Sequence, residues 1–202
     1  MPQGAVPTKG NLMNTKKSLS LAKMGYELMD KKRNILIREM MNLIDKANEI
    51  QGRIDDAYAE AYFALQTANI THGYCTDISK AIPVENSLTL DYRSVMGVEI
   101  PMVSMSEPDR GELYFGLNST GTALDNAYMK FTEVKVLTTK LAEIENSVYR
   151  LADAIKKTQK RANALKNIMI PKFEADVKFI TDALDEKDRE EFSRMKVIKK
   201  RS

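Results

Sequence analysis

Apolar residues recur in heptads along the first third of the chain. Steps of three and four residues from Leu12 reach an apolar side chain almost every time, and only Thr15 and Arg33 interrupt the series. A heptad sustained beyond about four repeats is typical of a coiled coil. We therefore predict an N-terminal coiled-coil helix over residues 10–70, preceded by an N-terminal extension of residues 1–9.

A second heptad block begins at Ala127 and runs to Met169, which predicts a C-terminal coiled-coil helix over residues 122–199. After Met169 an extra step of four enters the pattern, next to Pro171. Proline removes a helical hydrogen bond and clashes with the preceding turn. The helix is therefore expected to be kinked or broken near Pro171, and the sequence leaves both possibilities open.

Each apolar stripe needs a partner, and the two blocks supply one for each other. About 50 residues lie between them, enough for the chain to turn back, so an antiparallel hairpin of the two helices is the economical pairing. A parallel homodimer is the alternative, but it would leave two stripes competing in each chain.

The middle of the chain, residues 71–121, has a different composition and is predicted to form a small insert. Its alternation of apolar and polar residues has the period of a half-buried strand. The apolar members are Leu88, Leu90 and Tyr92. We predict a β-hairpin at about 87–103 that turns near Met96 and Gly97. The predicted fold is mainly α: a long antiparallel two-helix coiled coil formed by the N- and C-terminal helices, with a small middle insert containing this β-hairpin.

Composition excludes several classes of protein. The 31 basic and 28 acidic residues leave a net charge of only +3, which argues against a dedicated nucleic-acid binder. Cys75 is the single cysteine, so no intramolecular disulfide is possible and a reducing, intracellular compartment is expected. The apolar runs are much shorter than the roughly 20 residues of a membrane span, so we expect a soluble protein.

Catalytic chemistry finds little support. His72 is the single histidine, and with Cys75 it forms at best half of a zinc site. No phosphate-binding glycine loop is present. We predict no catalytic, cofactor-binding or metal site, so the chain is expected to work mechanically or by binding.

Two charged features stand out from the heptads. Arg33 occupies a core-type position, where it either fixes the helix register or extends its charged end to water. The basic C-terminal tail is either a solvated helix end, favourable at the negative pole of the helix dipole, or a contact for an acidic partner. Its residues are Lys196, Lys199, Lys200 and Arg201.

Short motifs in all three segments follow the order of a known family. The first block contains Pro7-Thr8-Lys9, Gly25-Tyr26-Glu27-Leu28 and Lys31-Lys32-Arg33, and the insert contains Met96-Gly97-Val98 with Pro101. The last block contains Arg161-Ala162-Asn163-Ala164-Leu165, Ile170-Pro171 and Leu184-Asp185-Glu186-Lys187-Asp188-Arg189-Glu190-Glu191-Phe192, then Arg194 and Lys196. In this order and spacing they resemble the D-subunit family of V-type and A-type ATPases.

The resemblance implies a non-catalytic rotor shaft, the central stalk of a rotary ATPase. In that family the shaft turns inside a catalytic head of A and B subunits. It joins the F subunit of the stalk and docks on the protein that caps the membrane ring. Rotation couples ATP turnover to proton or sodium transport. The expected location is cytoplasmic and peripheral to the membrane, with no cofactor and no nucleic acid.

The resemblance also suggests which residues contact partners. Those expected at the end inside the head are Thr8, Lys9, Arg189, Glu190, Arg194 and Lys196. The remaining candidates are Arg33 and the hairpin signature Met96, Gly97 and Val98. The runner-up function is a free-standing coiled-coil adaptor or scaffold, which would not need the strand-like insert. A helical arm that binds nucleic acid through the basic tail is a third possibility, opposed by the interspersed acidic residues.

Overall fold

Two long helical segments flank a β-hairpin. A computed structural model of the chain describes residues 6–80, 82, 84, 86–105 and 121–201. The elements are α1 (Lys9–His72), α2 (Thr76–Ser79), β1 (Leu88–Val95), β2 (Val98–Met105), α3 (Thr122–Ala164), a π-helical turn (Leu165–Met169) and α4 (Ile170–Arg201). The predicted mainly α fold with a hairpin insert is confirmed. Residues 1–5 of the predicted extension, and 81, 83, 85 and 106–120 of the predicted insert, lie outside the described residues.

Both ends of α1 follow from local chemistry. Thr8 caps the start, because its side-chain oxygen accepts a hydrogen bond from the backbone N–H of Asn11 at 3.2 Å. The helix ends at Gly73, which has a φ of +78° and donates its N–H to the Asn69 carbonyl at 2.9 Å. Glycine is favoured in this left-handed position because it has no Cβ.

Burial follows the heptads. The buried apolar residues of α1 all lie on heptad positions, and they are Ala22, Leu36, Ile54, Ala61, Ala64 and Ala68. Most of those on α3 do so as well, namely Ala127, Val134, Leu137, Ile144, Leu151 and Ala162. The heptad seam therefore forms the apolar core along both helices.

The chain divides into two compact units. The terminal unit consists of Met1–Ile35 with Ile155–Ser202, and the middle unit is Leu36–Ala154. In the terminal unit, Arg33 donates a hydrogen bond to Gln159 Oε1 at 2.8 Å, and Lys23 Nζ lies 2.8 Å from Glu174 Oε1. Partner numbers fall as α1 numbers rise, so the helices of this unit are antiparallel, as predicted.

The π turn lies in the terminal unit, directly before Pro171. The Ile170 N–H bonds to the carbonyl of Leu165, five residues back. The wider π turn inserts one extra residue into the series of helical hydrogen bonds. It does so at the point where the heptad spacing changes. The backbone is helical on both sides of Pro171, and the wide turn falls where a proline ring would crowd a regular α-helical turn.

In the middle unit, the helices are also antiparallel and their contact contains many small side chains. Tyr62 packs edge-on against Phe131 with ring centroids 5.6 Å apart. Further along α1, the His72 ring lies so close to Gly121 that an added Cβ there would be 2.5 Å from Nε2. Alanines at the buried seam positions in this half of α1 allow close approach of the helix backbones.

The hairpin also belongs to the middle unit, and its register is fixed from Leu88 opposite Met105 to Val95 opposite Val98. The predicted strand and turn are confirmed, but the predicted burial of β1 is wrong. Its apolar residues Leu88, Leu90 and Tyr92 are half exposed or more, whereas Ile100 on β2 is 3% exposed. The alternation in β1 therefore marks an apolar face open to solvent, which the period of two cannot distinguish from a buried one.

One ion pair of the middle unit predicts a small pH dependence. Lys130 Nζ lies 2.6 Å from Glu60 Oε2. This hydrogen bond lowers the pKa of Glu60 and raises the pKa of Lys130. A lowered carboxyl pKa adds stability above the unfolded value of 4.5, and this is lost as the pH falls through the folded pKa. A raised lysine pKa adds stability below 10.5, and this is lost as the pH rises through the folded pKa.

We expect Glu60→Gln to melt slightly below the wild type at about pH 7, and the difference in Tm to shrink as the pH falls below 4.5 and through the lowered pKa of Glu60. Thermal unfolding followed by circular dichroism at several pH values measures this. The effect is small because both side chains are solvent-exposed to a large extent. A difference in Tm that stays constant from neutral to acid pH would contradict the role of this pair.

Candidate partner-contact surfaces

Six predicted contact residues lie in the terminal unit, outside the seam. Thr8 and Lys9 are exposed at the start of α1, and the exposed residues near the end of α4 are Arg189, Glu190, Arg194 and Lys196. Arg194 is 3.6 Å from Glu190, and Arg189 is 3.7 Å from Glu186. Such exposed pairs are weak, so the four charged groups of α4 remain accessible to a partner.

The last part of α4 presents apolar as well as charged residues to solvent. Phe192, Met195 and Ile198 are each more than 60% exposed, and their spacing of three places them along one side of the helix. Every residue from 185 to 200 is exposed. This segment therefore contributes little to the core and presents a mixed surface that a partner could bury.

Arg33 differs from the other candidates, because its guanidinium has partners within the chain. It lies 2.6 Å from Asp30 Oδ1 and bonds to Asn34 as well as to Gln159 across the seam. A charge in a coiled-coil seam is tolerated when such bonds satisfy it. The arrangement favours a role for Arg33 in fixing the register of the two helices.

The hairpin candidates Met96, Gly97 and Val98 lie at its turn. Met96 has a φ of +51° and Gly97 a φ of +75°, and their flanking residues are paired across the strands. Positive φ at both central residues defines a type I′ turn, for which Asn-Gly is the preferred sequence. Methionine is strained in this conformation by about 1 kcal/mol. Its side chain is 45% exposed, so burial does not offset the strain.

Backbone strain at an exposed apolar residue favours a functional role for Met96, such as contact with a partner, over a role in forming the turn. We expect Met96→Asn to raise the free energy of unfolding by about 0.5 kcal/mol, because asparagine tolerates the left-handed region. Gly97→Ala should lower it by about 1 kcal/mol, through backbone strain alone since an added Cβ meets nothing within 4 Å. Urea unfolding of both variants gives the two signs, and a Met96→Asn protein less stable than the wild type would refute the strain.

The hairpin is held against both long helices of the middle unit. Glu143 on α3 accepts the backbone N–H of Val103 at 3.0 Å, and Glu39 on α1 lies 3.2 Å from Arg93. The Arg150 guanidinium lies 5.4 Å from the centre of the Tyr92 ring, within cation–π range. These contacts fix the hairpin in place, while Leu88, Leu90 and Tyr92 of β1 remain about half exposed.

A second apolar surface lies at the end of α1, where a groove of about 400 Å³ opens among the last turns of α1, α2 and the start of α3. It is lined mainly by Leu65, Tyr74, Ile78, Leu124, Tyr128 and Phe131. Of these lining residues, Tyr74 is almost fully exposed. An open groove with a mainly apolar lining is typical of a protein–protein contact.

Sites of other kinds are not found in the described part of the chain. No group of three or more histidine, cysteine, aspartate and glutamate residues there is arranged to hold a metal ion. No described helix is long and apolar enough to span a membrane. The exposed end of α4, the hairpin and the end groove are candidate contact surfaces of this part of the chain.

Comparison with known proteins decides the family. A family model for the D subunit of ATP synthase matches residues 11–200. The chain belongs to the ATP synthase D-subunit family. The V-type ATP synthase D subunit of Thermotoga neapolitana is 40% identical over 197 residues, covering 96% of this chain and 97% of the relative. The A-type D subunits of Thermococcus kodakarensis and Pyrococcus furiosus are 37% and 36% identical, each covering 96% of this chain and 92% of the relative.

Membership of the D-subunit family confirms the resemblance inferred from the sequence. The matched region contains both long helical segments and the hairpin, so the family relationship covers every element of the fold. Sequence reasoning missed the end groove, because its lining residues are spread over three segments. It also missed the open face of β1. The alternating apolar residues of β1 were the available signal, but their solvent exposure is visible only in the structure.

Proposed function

We propose that the chain is the non-catalytic rotor shaft of a V-type or A-type rotary ATPase. It transmits torque between ATP turnover in a catalytic head of A and B subunits and proton or sodium translocation in the membrane ring. The observation that carries this proposal is membership of the D-subunit family over 190 of the 202 residues, together with the paired long helices.

The paired helices suit the transmission of torque. In each unit an apolar seam joins them, and polar bonds such as Arg33 to Gln159 and Lys130 to Glu60 cross between them. Twisting one helix against the other must shear the seam and break these bonds together. Two interlocked helices therefore resist torsion better than one isolated helix, whose side chains have no fixed partner.

The candidate surfaces divide between the proposed partners. The exposed segment of α4, with Thr8 and Lys9, is assigned to the catalytic head. The hairpin and the end groove are assigned to the F subunit and to the protein that caps the membrane ring. The chain then works at the cytoplasmic face of the membrane, attached through the complex.

Reconstitution tests the proposal. The chain is co-expressed with the A and B subunits of its own genome, with and without the F subunit. Size-exclusion chromatography and ATP hydrolysis are measured in the same fractions. One copy of the chain for each A/B hexamer, with hydrolysis altered by its presence, is the expected result. An active hexamer that never retains the chain, even with the F subunit, would instead favour the free-standing adaptor.

Met96→Asn gives a sharper form of the same test. If Met96 contacts the F subunit or the cap protein, this variant should bind that partner more weakly although the chain itself is more stable. Gly97→Ala serves as the comparison, because it disturbs the turn and retains the methionine side chain. Unchanged affinity for both partners in the Met96→Asn protein would remove Met96 from the proposed contact.

A further inference from the structure

The π turn is one irregular turn in a helical segment that is otherwise regular. Ala164 before it has φ −64° and ψ −42°, and Ile170 after it has φ −61° and ψ −51°, which are α-helical values. Since the Ile170 N–H bonds to the carbonyl of Leu165, the turn holds one residue more than an α-helical turn. The segment from Thr122 to Arg201 is therefore less tightly wound at this turn than on either side of it.

Pro171 favours the position of this extra residue. In a regular α-helix its ring would clash with the carbonyl of Asn167, four residues back, and its nitrogen could donate no hydrogen bond. A wider turn directly before the proline relieves this conflict. The proline therefore sets where the extra residue lies along the helix.

The turn packs loosely against α1. None of its five residues is buried. Gly25 of α1 faces it, since a Cβ added at Gly25 would lie 3.7 Å from Leu165 Cδ1. Glycine has no side chain to interlock with the turn, so the close-packed layers that make a coiled coil stiff are interrupted here.

The terminal unit buries few large side chains in its seam. The buried residues among those described in this unit are Ala22, Thr158, Ala162 and Ile180. In the middle unit the two long helices bury larger side chains, such as Leu36, Ile54, Val134, Leu137, Ile144 and Leu151. Each large side chain that interlocks with the facing helix must be displaced before the helices can twist past one another. The terminal unit therefore offers less resistance to twist than the middle unit.

The contacts at the turn and just beyond it are polar and can re-form after a movement. The Lys166 ammonium lies 5.7 Å from the centre of the Tyr26 ring, and Lys23 Nζ lies 2.8 Å from Glu174 Oε1. The side chains of Lys23 and Glu174 are both about half exposed. A flexible lysine stem follows its partner over a range of helix angles, which an interlocked apolar layer cannot do. These contacts hold the helices together without fixing the angle between them.

We propose that the π turn, facing Gly25, is the point at which the shaft yields to torque. Under load the turn changes its winding as its hydrogen bonds shift between five-residue and four-residue spacing, and the twist collects at Leu165–Met169. The middle unit, with its larger buried side chains, transmits the torque as a stiffer body. This inference rests on the proposed function, which supplies the torque.

Four variants separate the turn from its surroundings. Deletion of Asn167 together with Pro171→Ala removes the extra residue and the proline, so it should make the segment continuously α-helical with the residues on either side in place. Pro171→Ala alone retains the extra residue. Gly25→Ala adds a methyl group at ordinary van der Waals distance from Leu165, which should fill the gap without disturbing the fold. Gly52→Ala is its matched control, because Gly52 lies on α1 in the middle unit and an added Cβ there meets nothing within 4 Å.

The angular fluctuation of the shaft measures its torsional stiffness. The A/B hexamer with the F subunit is fixed to a surface and held with a non-hydrolysable ATP analogue, and a bead is attached to the hairpin through Asp91→Cys in a Cys75→Ser background. The variance of the bead angle should fall about twofold when the π turn is removed, and by a smaller amount in Gly25→Ala. Pro171→Ala and Gly52→Ala should leave the variance close to the wild-type value.

A turn-deleted shaft and a Gly25→Ala shaft that both fluctuate as widely as the wild type, while rotating under ATP, would overturn this inference and leave the rotor function standing. Equal narrowing by Gly25→Ala and Gly52→Ala would also overturn it, because stiffness would then follow helix propensity and not the turn. If the deletion prevents folding, the comparison of Gly25→Ala with Gly52→Ala decides alone. A wild-type shaft that never rotates under ATP would overturn the rotor function and this inference together.

Discussion

Replacing Leu36 with alanine is expected to lower the free energy of unfolding by about 3 kcal/mol. Leu36 lies on a heptad position of α1 and is 0% exposed. Its truncation removes the outer carbon atoms of the side chain and leaves a cavity that the seam can only partly close. Urea unfolding followed by far-ultraviolet circular dichroism gives the difference.

Leu28→Ala is the matched control for Leu36→Ala. Both leucines are on α1, but Leu28 is 63% exposed. The same substitution there should change the free energy of unfolding by less than about 0.5 kcal/mol. Equal losses at the two positions would contradict the placement of the seam.

Ending the chain after Asp185 is expected to weaken binding to the A/B hexamer at least about tenfold, while the rest of the protein stays folded. The residues from 186 to 200 are all exposed. Because they bury little against the chain, their loss should shift Tm only slightly. Affinity and Tm are measured on the same preparation. The predicted contacts removed with this segment are Arg189, Glu190, Arg194 and Lys196.

Two full-length variants divide this effect between apolar and charged contacts. Phe192→Gln with Met195→Gln and Ile198→Gln removes the exposed apolar row. Arg194→Gln with Lys196→Gln removes two of the predicted charged contacts. If the tail binds the head, at least one of these proteins should lose affinity. A truncated chain that binds and couples like the wild type would remove the whole tail from the proposed contact.

The sequence predicted the parts of the fold that depend on periodicity. Heptads set the seam, and the buried residues Leu36, Ile54 and Leu151 lie on it. The change of spacing after Met169, next to Pro171, marked the region where the π turn occurs. The sequence could not predict that the irregularity is a π turn, because a kink, a break and a π turn each change the heptad phase in a similar way.

Burial in the hairpin depends on contacts that the strand pattern does not encode. Alternation predicted that Leu88, Leu90 and Tyr92 share a face, and the register agrees. Which face packs on the helices is decided by residues distant in sequence, such as Glu39 and Glu143. The apolar residues of β1 are therefore about half exposed, although Tyr92 contacts Arg150.

The candidate contacts were less predictable than the fold. Arg33 was a candidate contact because it breaks the heptad pattern, but the structure gives its guanidinium partners within the chain. The terminal unit has a net charge of +11 and the middle unit one of −8, yet a single sum over all residues gives only +3. Counting charge for each unit separately requires knowing that α1 is shared between them, and this is a property of the fold.

Direct observation of rotation is the measurement that tests the rotor function most directly. An A/B hexamer is fixed to a surface, and a bead is attached to the hairpin through Asp91→Cys in a Cys75→Ser background, since Asp91 is exposed and Cys75 is the single native cysteine. The rotor function predicts rotation of the bead in one direction that depends on ATP and stops when ATP is withdrawn. A bead that stays bound but does not turn while the hexamer hydrolyses ATP would contradict it.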